Sequence, residues 1–276
     1  MGKPSQQLRR LVQDAKTSGD PGQTRHVTIA AGALHGLPAW LRQHHPDAAD
    51  LIVADGPTWA AAGEAVTKAL RDAQRTVRTL VLEPRTGDDH LVCEDGVITS
   101  LATFLKVSDR LNPIAVGAGT VNDIVKMAAF QRDRSYQVVP TAASMNGYTS
   151  AIAAILSRGV KRTLPCRPPV AVFADIDVLR AAPAYLNRAG FGDLLSKPFS
   201  HADWLLSHLI RGDAYSPTAA RVLDDAYDEL LTHAAGVGQG DPEATEVLIR
   251  TLLISGFSMA LAGKSSPASG GEHLVS

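Results

Sequence analysis

The sequence predicts an α/β fold, a parallel sheet covered by helices on both faces, followed by an all-helical region. Three observations carry this reading. Short apolar runs alternate with amphipathic stretches up to about residue 180, a glycine loop joins one such run to a stretch of helical period, and from residue 181 the chain reads as helix after helix.

Residues 1–25 hold Lys3, Arg9, Arg10, Lys16 and Arg25 among polar neighbours and no apolar segment, so they read as an N-terminal extension and not as an export signal. Residues 26–31 form the first predicted strand, with a helix near 37–43. A strand at 51–54 leads to a helix over about 58–75, and 77–82 continues the alternation. Residues 114–116 are a short apolar strand; Val121, Ile124, Val125 and Ala128 then recur at helical spacing before a strand at 137–139. Residues 151–164 read as a hairpin turning at Arg158-Gly159, and 170–174 as a last strand, which closes a sheet domain over 26–180. In the helical domain, 181–276, Ser200 and Asp203 are spaced as a capping pair ahead of Trp204, and Asp241-Pro242 opens a helix that ends near Gly263.

Composition narrows the function classes. With 27 Lys and Arg against 28 Asp and Glu the net charge is -1, so no basic surface for nucleic acid is expected. The two cysteines, Cys93 and Cys166, are too far apart for a metal or redox spacing and read as packed, reduced thiols of a cytoplasmic protein. No run reads as a membrane span, and no internal repeat is seen.

The chemistry concentrates at the carboxyl ends of the predicted strands, where ligands of open parallel sheets bind. Gly117, Ala118, Gly119 and Thr120 form a loop that opens a helix, and free N–H groups there suit a pyrophosphate. The loop departs from the dinucleotide fingerprint because Asn122 stands at the third glycine position. Thr120 and Asp123 also fit a capping box, an account compatible with a ligand role for Asp123. Asp55 ends a strand where a carboxylate commonly takes a ribose hydroxyl and repels a 2′-phosphate; Asp-Gly-Pro is equally ordinary turn chemistry. Residues 141–148, with Thr141 and Ser144, fall at the same edge. Asp175 and Asp177 read as strand termination and capping, His44 and His45 as a solvated turn, and His201 and His208 as core or surface residues cut off from Asp193 by Pro198. Asp193 lies between glycines in apolar sequence, and His273 in a small-residue turn. A carboxylate with imidazoles is a plausible metal set.

The strings VGAGTVNDIVK, VPTAASMNGYTS, AVFADIDVL, AGFGDLLSK and SSPASGGEHL, in this order, closely resemble the sn-glycerol-1-phosphate dehydrogenase family. That family belongs with the iron-containing alcohol dehydrogenases, glycerol dehydrogenase and dehydroquinate synthase. The resemblance implies a Rossmann-like nucleotide-binding domain followed by an all-helical metal-binding domain, NAD or NADP as cofactor, and one divalent metal, zinc or alternatively nickel or iron. It implies Asp193 and His273 as metal ligands, Gly117 to Thr120 as the pyrophosphate loop, and Thr141 and Ser144 as cofactor neighbours. The reaction implied is hydride transfer between a phosphorylated polyol and its ketone, sn-glycerol-1-phosphate and dihydroxyacetone phosphate. Lys197 is a candidate for the substrate phosphate, and a homo-oligomer is possible.

Two departures qualify the resemblance. Asn146 stands where the family has Asp in S-x-D-G, and an amide hydrogen-bonds without accepting a proton as a carboxylate base does. The chain also stops at Ser276, three residues after His273, so a C-terminally truncated member lacking the second metal histidine is expected, with doubtful activity. A dehydroquinate synthase-like cyclase and a non-catalytic nucleotide-binding remnant or partner subunit are the alternative readings.

Overall fold

The computed structural model describes residues 3–18 and 23–271. Its sheet strands are β1 (His26–Ala30), β2 (Ala49–Asp55), β3 (Val77–Leu82), β4 (Leu111–Gly117) and β5 (Gln137–Pro140), then β8 (Ala171–Asp175) after the hairpin pair β6 (Ile152–Ser157) and β7 (Val160–Pro165). The spatial order β1-β8-β5-β4-β2-β3 is parallel throughout. The chain runs outward from β2 to β3, then returns to β4 and proceeds the other way. The strand order therefore reverses between β2 and β4, and the loops after these two strands flank the switch point.

The central strands are continuous apolar runs because both faces are covered. Leu51 to Ala54 and Ile114 to Val116 are all fully buried. Alternation assigns Ile52, Ala54, Ile114 and Val116 to one face, beneath α2 (Leu37–His44) and α4 (Glu64–Asp72), the latter continuing from the short turn α3 (Gly56–Thr58). Leu51, Val53 and Ala115 face the other way, toward α5 (Asp95–Lys106) and α6 (Gly119–Phe130). The hairpin turns through Arg158 and Gly159 at φ of 52° and 77°, the two left-handed residues that a tight two-residue turn needs.

Beyond β8 come α7 (Ile176–Ala181), α8 (Ala184–Leu195), α9 (Lys197–Arg211), α10 (Pro217–Arg221), α11 (Asp224–Thr232), α12 (Ala234–Val237) and α13 (Pro242–Ala262). Asp241 caps α13 through Ala244 N–H at 2.8 Å, as its sequence predicts. Ser200 and Asp203 do not form the expected capping pair. Pro198 instead lies in the first turn of α9, so Ser200 is already inside the helix and Asp203 accepts from Gly271 N–H at 2.7 Å. The helical path does break between Asp193 and the two histidines, at Ser196.

Two sequence expectations need correction. The N-terminal extension contains α1 (Lys3–Ser18), whose Leu8, Val12 and Ala15 form one buried stripe at i, i+4 and i+7. Helix α1 packs on α13 and α11, and Gln7 Nε2 donates to Val222 O. Its many charged residues, exposed on the other faces, hide the stripe in a composition-based reading. Likewise α13 is long and apolar enough by length and composition to cross a membrane, although no such run was expected; 83% of its apolar window is buried among the other helices.

At the amino edge of the sheet Asp50 is fully buried and clamped by Arg75, with Nε to Oδ2 at 2.5 Å and Nη2 to Oδ1 at 3.1 Å, while Asn112 Nδ2 donates to Oδ1 at 3.1 Å. The cluster joins β2 to β4 and to the turn before β3. Asp50→Ala leaves a buried guanidinium unpaired and should cost about 3–5 kcal/mol, read as a lower urea midpoint at unchanged m-value.

Candidate functional site

The loop after β4 is shaped by close packing. A Cβ on Gly117 would lie 2.5 Å from Val121 Cβ, so this glycine lets the first turn of α6 fold back on the strand. A Cβ on Gly119 would meet only the Met145 side chain, Cγ at 3.4 Å and Cε at 3.9 Å, ordinary contacts. The N-cap residue of α6 is Ala118, and no side chain caps the helix. The Thr120–Asp123 capping box is therefore not formed: Thr120 lies one residue inside the helix, and the first-turn N–H groups face the carboxyl edge of the sheet. Asp123 instead accepts from Ala154 N–H at 3.0 Å and Asn122 Nδ2 at 2.9 Å, with Lys126 Nζ at 3.5 Å. Its carboxylate ties α6 to the hairpin, so a direct cofactor contact is not what its geometry favours.

Across the switch point, Asp55 and Thr58 form a reciprocal capping box. Asp55 Oδ1 accepts from Thr58 N–H at 2.9 Å and from its hydroxyl at 2.7 Å, and Asp55 N–H donates to Thr58 Oγ1 at 3.0 Å. The turn chemistry is thus real, and it leaves Oδ2 as the oxygen that a ribose hydroxyl would meet.

The segment after β5 connects the sheet to the helices. Thr141 is buried and its N–H reaches Gly117 O at 3.3 Å, setting the two loops side by side. Ala143 N–H donates to Asn187 Oδ1 at 3.0 Å, and Asn187 Nδ2 donates to Leu179 O at 2.9 Å. Helix α8 lies so close that a Cβ on Gly190 would fall 2.0 Å from Ala143 O. Ser144 is half-buried beside Tyr148, whose hydroxyl donates to Ala142 O at 2.7 Å. Burial pushes the Tyr148 phenol above its ordinary range.

Asn146 meets the expected metal ligand directly. Its N–H donates to Asp193 Oδ2 at 3.0 Å, and its Nδ2 donates to Ser255 Oγ of α13 at 3.2 Å. Asp193 Oδ1 accepts from Lys197 Nζ at 2.8 Å, and Lys197 also donates to Ala268 O at 2.7 Å. Lys197 is only 1% exposed, so it is a buried partner of Asp193 and not an open grip on a substrate phosphate. His273 lies outside the described residues. Among those described, no group of three or more His, Cys, Asp or Glu side chains is gathered for a metal ion. They supply one carboxylate donor, already bonded to an ammonium, and do not by themselves make a metal centre.

The expected positions therefore form two groups: Gly117 to Thr120, Asp55 and Thr141 around the switch point, and Ser144, Asn146, Asp193 and Lys197 where the helices meet the sheet. Sequence reasoning missed Lys126, fully buried on α6, which donates to Gly147 O at 2.6 Å and Ile152 O at 2.9 Å. It also missed Asn187 and Gly256. A Cβ on Gly256 would fall 2.1 Å from Thr149 Oγ1 and 2.7 Å from Asn146 O. A glycine inside so apolar a helix was the available signal. The discounted histidines stay discounted: His208 Nδ1 is bonded to Asp213 O, and His201 is half-buried on α9. Cys93 and Cys166 are free thiols; burial pushes Cys166 up to about 12 and Cys93 higher still.

A parallel sheet whose strand order reverses between β2 and β4, with helices packed on the loop after β5, defines the class as a doubly wound α/β protein. Residues 28–183 match the family described as iron-containing alcohol dehydrogenase. The chain belongs to that family. It is 33% identical over 276 residues to the glycerol-1-phosphate dehydrogenase [NAD(P)+] of Bacillus subtilis, all of this chain and 69% of that protein. It is 34% identical over 262 residues to the Bacillus velezensis enzyme of the same name, covering 94% of this chain and 65% of that one. The chain thus spans about two thirds of the length of these relatives. Among solved structures, a probable glycerol dehydrogenase from Sinorhizobium meliloti superposes with a TM-score of 0.71 at 23% identity, over 87% of this chain and 66% of that one. An iron-containing alcohol dehydrogenase from Thermotoga maritima gives 0.66 at 16%, over 88% and 69%. Both share the fold.

The two loop glycines separate by experiment. Gly117→Ala forces Val121 and the start of α6 to shift and should cost about 1–3 kcal/mol, whereas Gly119→Ala should stay within about 0.5 kcal/mol. Urea denaturation of the two variants beside the parent checks the order.

Proposed function

We propose that the chain binds NAD or NADP at the switch point and serves an oxidoreductase that interconverts a phosphorylated polyol and its ketone, sn-glycerol-1-phosphate and dihydroxyacetone phosphate. The observation that carries this is the hydrogen bond from Asn146 N–H to Asp193, which puts a helical carboxylate next to the loop that starts beside Gly117. The names of the relatives, glycerol-1-phosphate dehydrogenase [NAD(P)+], supply the substrate and the cofactor.

In this reading the first-turn N–H groups of α6 hold the pyrophosphate, where aligned peptide dipoles favour negative charge. Asp55 Oδ2 takes a ribose hydroxyl. The nicotinamide, when bound, supplies the hydride acceptor or donor. Asn146 and Asp193 face the substrate from the helical side of the crevice, with Lys197 holding Asp193 in position. The division near residue 180 then separates a nucleotide-binding part from a substrate-binding part. A divalent metal, zinc, nickel or iron, would have Asp193 as its protein carboxylate, and elemental analysis of the purified chain reads its identity.

Nucleotide binding is tested by calorimetric titration with NADH and NADPH. Gly119→Val puts a side chain in the path of the phosphates and should abolish binding while leaving the fold intact by circular dichroism. Asp55→Asn keeps the cap and removes the charge, so it should raise NADPH affinity relative to NADH by roughly tenfold. Equal affinities in parent and Gly119→Val would remove the glycine loop from the site.

Asn146→Asp sets a second carboxylate beside Asp193. It should change turnover with glycerol-1-phosphate far more than it changes NADH affinity, measured by coupled absorbance and calorimetry respectively. Unchanged turnover and affinity would make Asn146 a purely structural residue.

A further inference from the structure

A cavity lies at the opposite edge of the sheet, at the amino ends of β1, β5 and β8. It measures about 520 Å³, and Lys16, Arg25, His26, Trp40, His44 and His45 line it. That volume is within the usual range for a small-molecule site. The wall is a cluster of rings. Trp40 stacks on His44 at 4.2 Å and 14°, and lies 5.8 Å from His26 and 5.7 Å from His45.

The charges in this cavity are of one sign. Lys16 comes from α1, Arg25 from the approach to β1, and His44 and His45 from the end of α2, and no carboxylate lines the cavity among the described residues. Neither the exposed Lys16 ammonium nor the half-buried Arg25 guanidinium makes a hydrogen bond or ion pair with a described residue, whereas the buried guanidinium groups of the core are matched, Arg75 by Asp50 and Arg250 by two glutamates. The imidazoles each use one ring nitrogen internally, His26 on Thr28 Oγ1, His44 on Trp40 O and His45 on Gln137 Nε2, so each keeps another. The expected solvated turn at His44 and His45 is thus half wrong: His45 is packed against Gln137, whose Oε1 is buried without a partner among the described residues. A concave site with one sign of charge and low-dielectric walls concentrates counter-ions.

We propose that this cavity binds a small phosphate-bearing metabolite, its phosphate between Lys16 and Arg25 and its organic part on Trp40. Two unmatched cations, ring N–H donors and a stacking wall fit that chemistry in one place. The protonation state of the cavity agrees. Burial, then the charges of Lys16 and His44, lower His26 to about 4, and burial also lowers His45, against Asp50 which raises it and His44 and Arg75 which lower it. An anion would reverse the repulsion, so its binding raises the titration midpoint of His26 and strengthens as pH falls.

The test titrates the whole chain with inorganic phosphate, glycerol phosphate and adenosine monophosphate at constant ionic strength. Histidine ring resonances are followed at pH 5, with calorimetry at pH 7. Phosphate should move the His26 and His44 signals and lift the His26 midpoint by roughly one to three pH units. Adenosine monophosphate should bind more tightly than the other two through stacking on Trp40, and equal affinities of all three would overturn the assignment of the organic part to Trp40. Lys16→Ser with Arg25→Gln, on a partly exposed surface, should weaken all three ligands at least tenfold with an unchanged melting temperature. NADH should not compete. Unmoved histidine signals, equal affinity in the double variant, or competition by NADH would each overturn the proposal.

Discussion

The contact on which the candidate site depends is backbone laid directly against helix. Residues 143–150 have no sheet partner, so their polar groups need other bonds, and a buried N–H or C=O left alone is costly. Two glycines make the approach possible: Gly190 admits Ala143 O, and Gly256 admits Thr149 and the Asn146 carbonyl. Side chains then satisfy what the glycines bring close. Asn187 takes Ala143 N–H, Asp193 takes Asn146 N–H, Lys126 takes the carbonyls of Gly147 and Ile152, and Thr149 Oγ1 donates to Leu253 O at 2.6 Å. These partners come from α6, α8 and α13, so no single element can move without breaking bonds to the loop.

That arrangement also explains the placement of Asp193 and Lys197. The carboxylate is the acceptor for a loop N–H, and the lysine, one turn along in sequence but on the next helix, compensates its charge in a buried position. Removing one member of such a pair leaves an uncompensated charge, which is why both need each other whatever else the site holds. The opposite edge of the sheet follows the same rule in the Asp50, Arg75 and Asn112 cluster.

Much of the sheet was legible because its signal is local. Runs such as residues 51–54 and 114–116 are uninterrupted apolar stretches bounded by turn residues, and the Arg158-Gly159 turn is set by two neighbours. Helix α1 was not legible, since its stripe of Leu8, Val12 and Ala15 is diluted by charges that belong to its solvent face. The capping boxes at Thr120 and Ser200 failed for a related reason. A short motif states that two residues are three apart and not where the helix begins, and the packing of Val121 on Gly117 and Pro198 in the first turn moved those beginnings upstream.

By itself the sequence determined the order of strands and helices from β1 onward, the glycine loop and the turn at Asp55, because each depends on neighbours within a few residues, while Asn146 and Asp193 became candidates through the family resemblance of longer strings. Only the tertiary structure decided that Asp123 and Lys126 brace the hairpin and the loop after β5, that Lys197 is buried on Asp193, and that three histidines share a cavity with Trp40. The bonds of Asp123 and Lys126 close separations of tens of residues, and Lys197, only four residues from Asp193, is also fixed by Ala268 O 71 residues away; no local pattern encodes which distant backbone a side chain will meet.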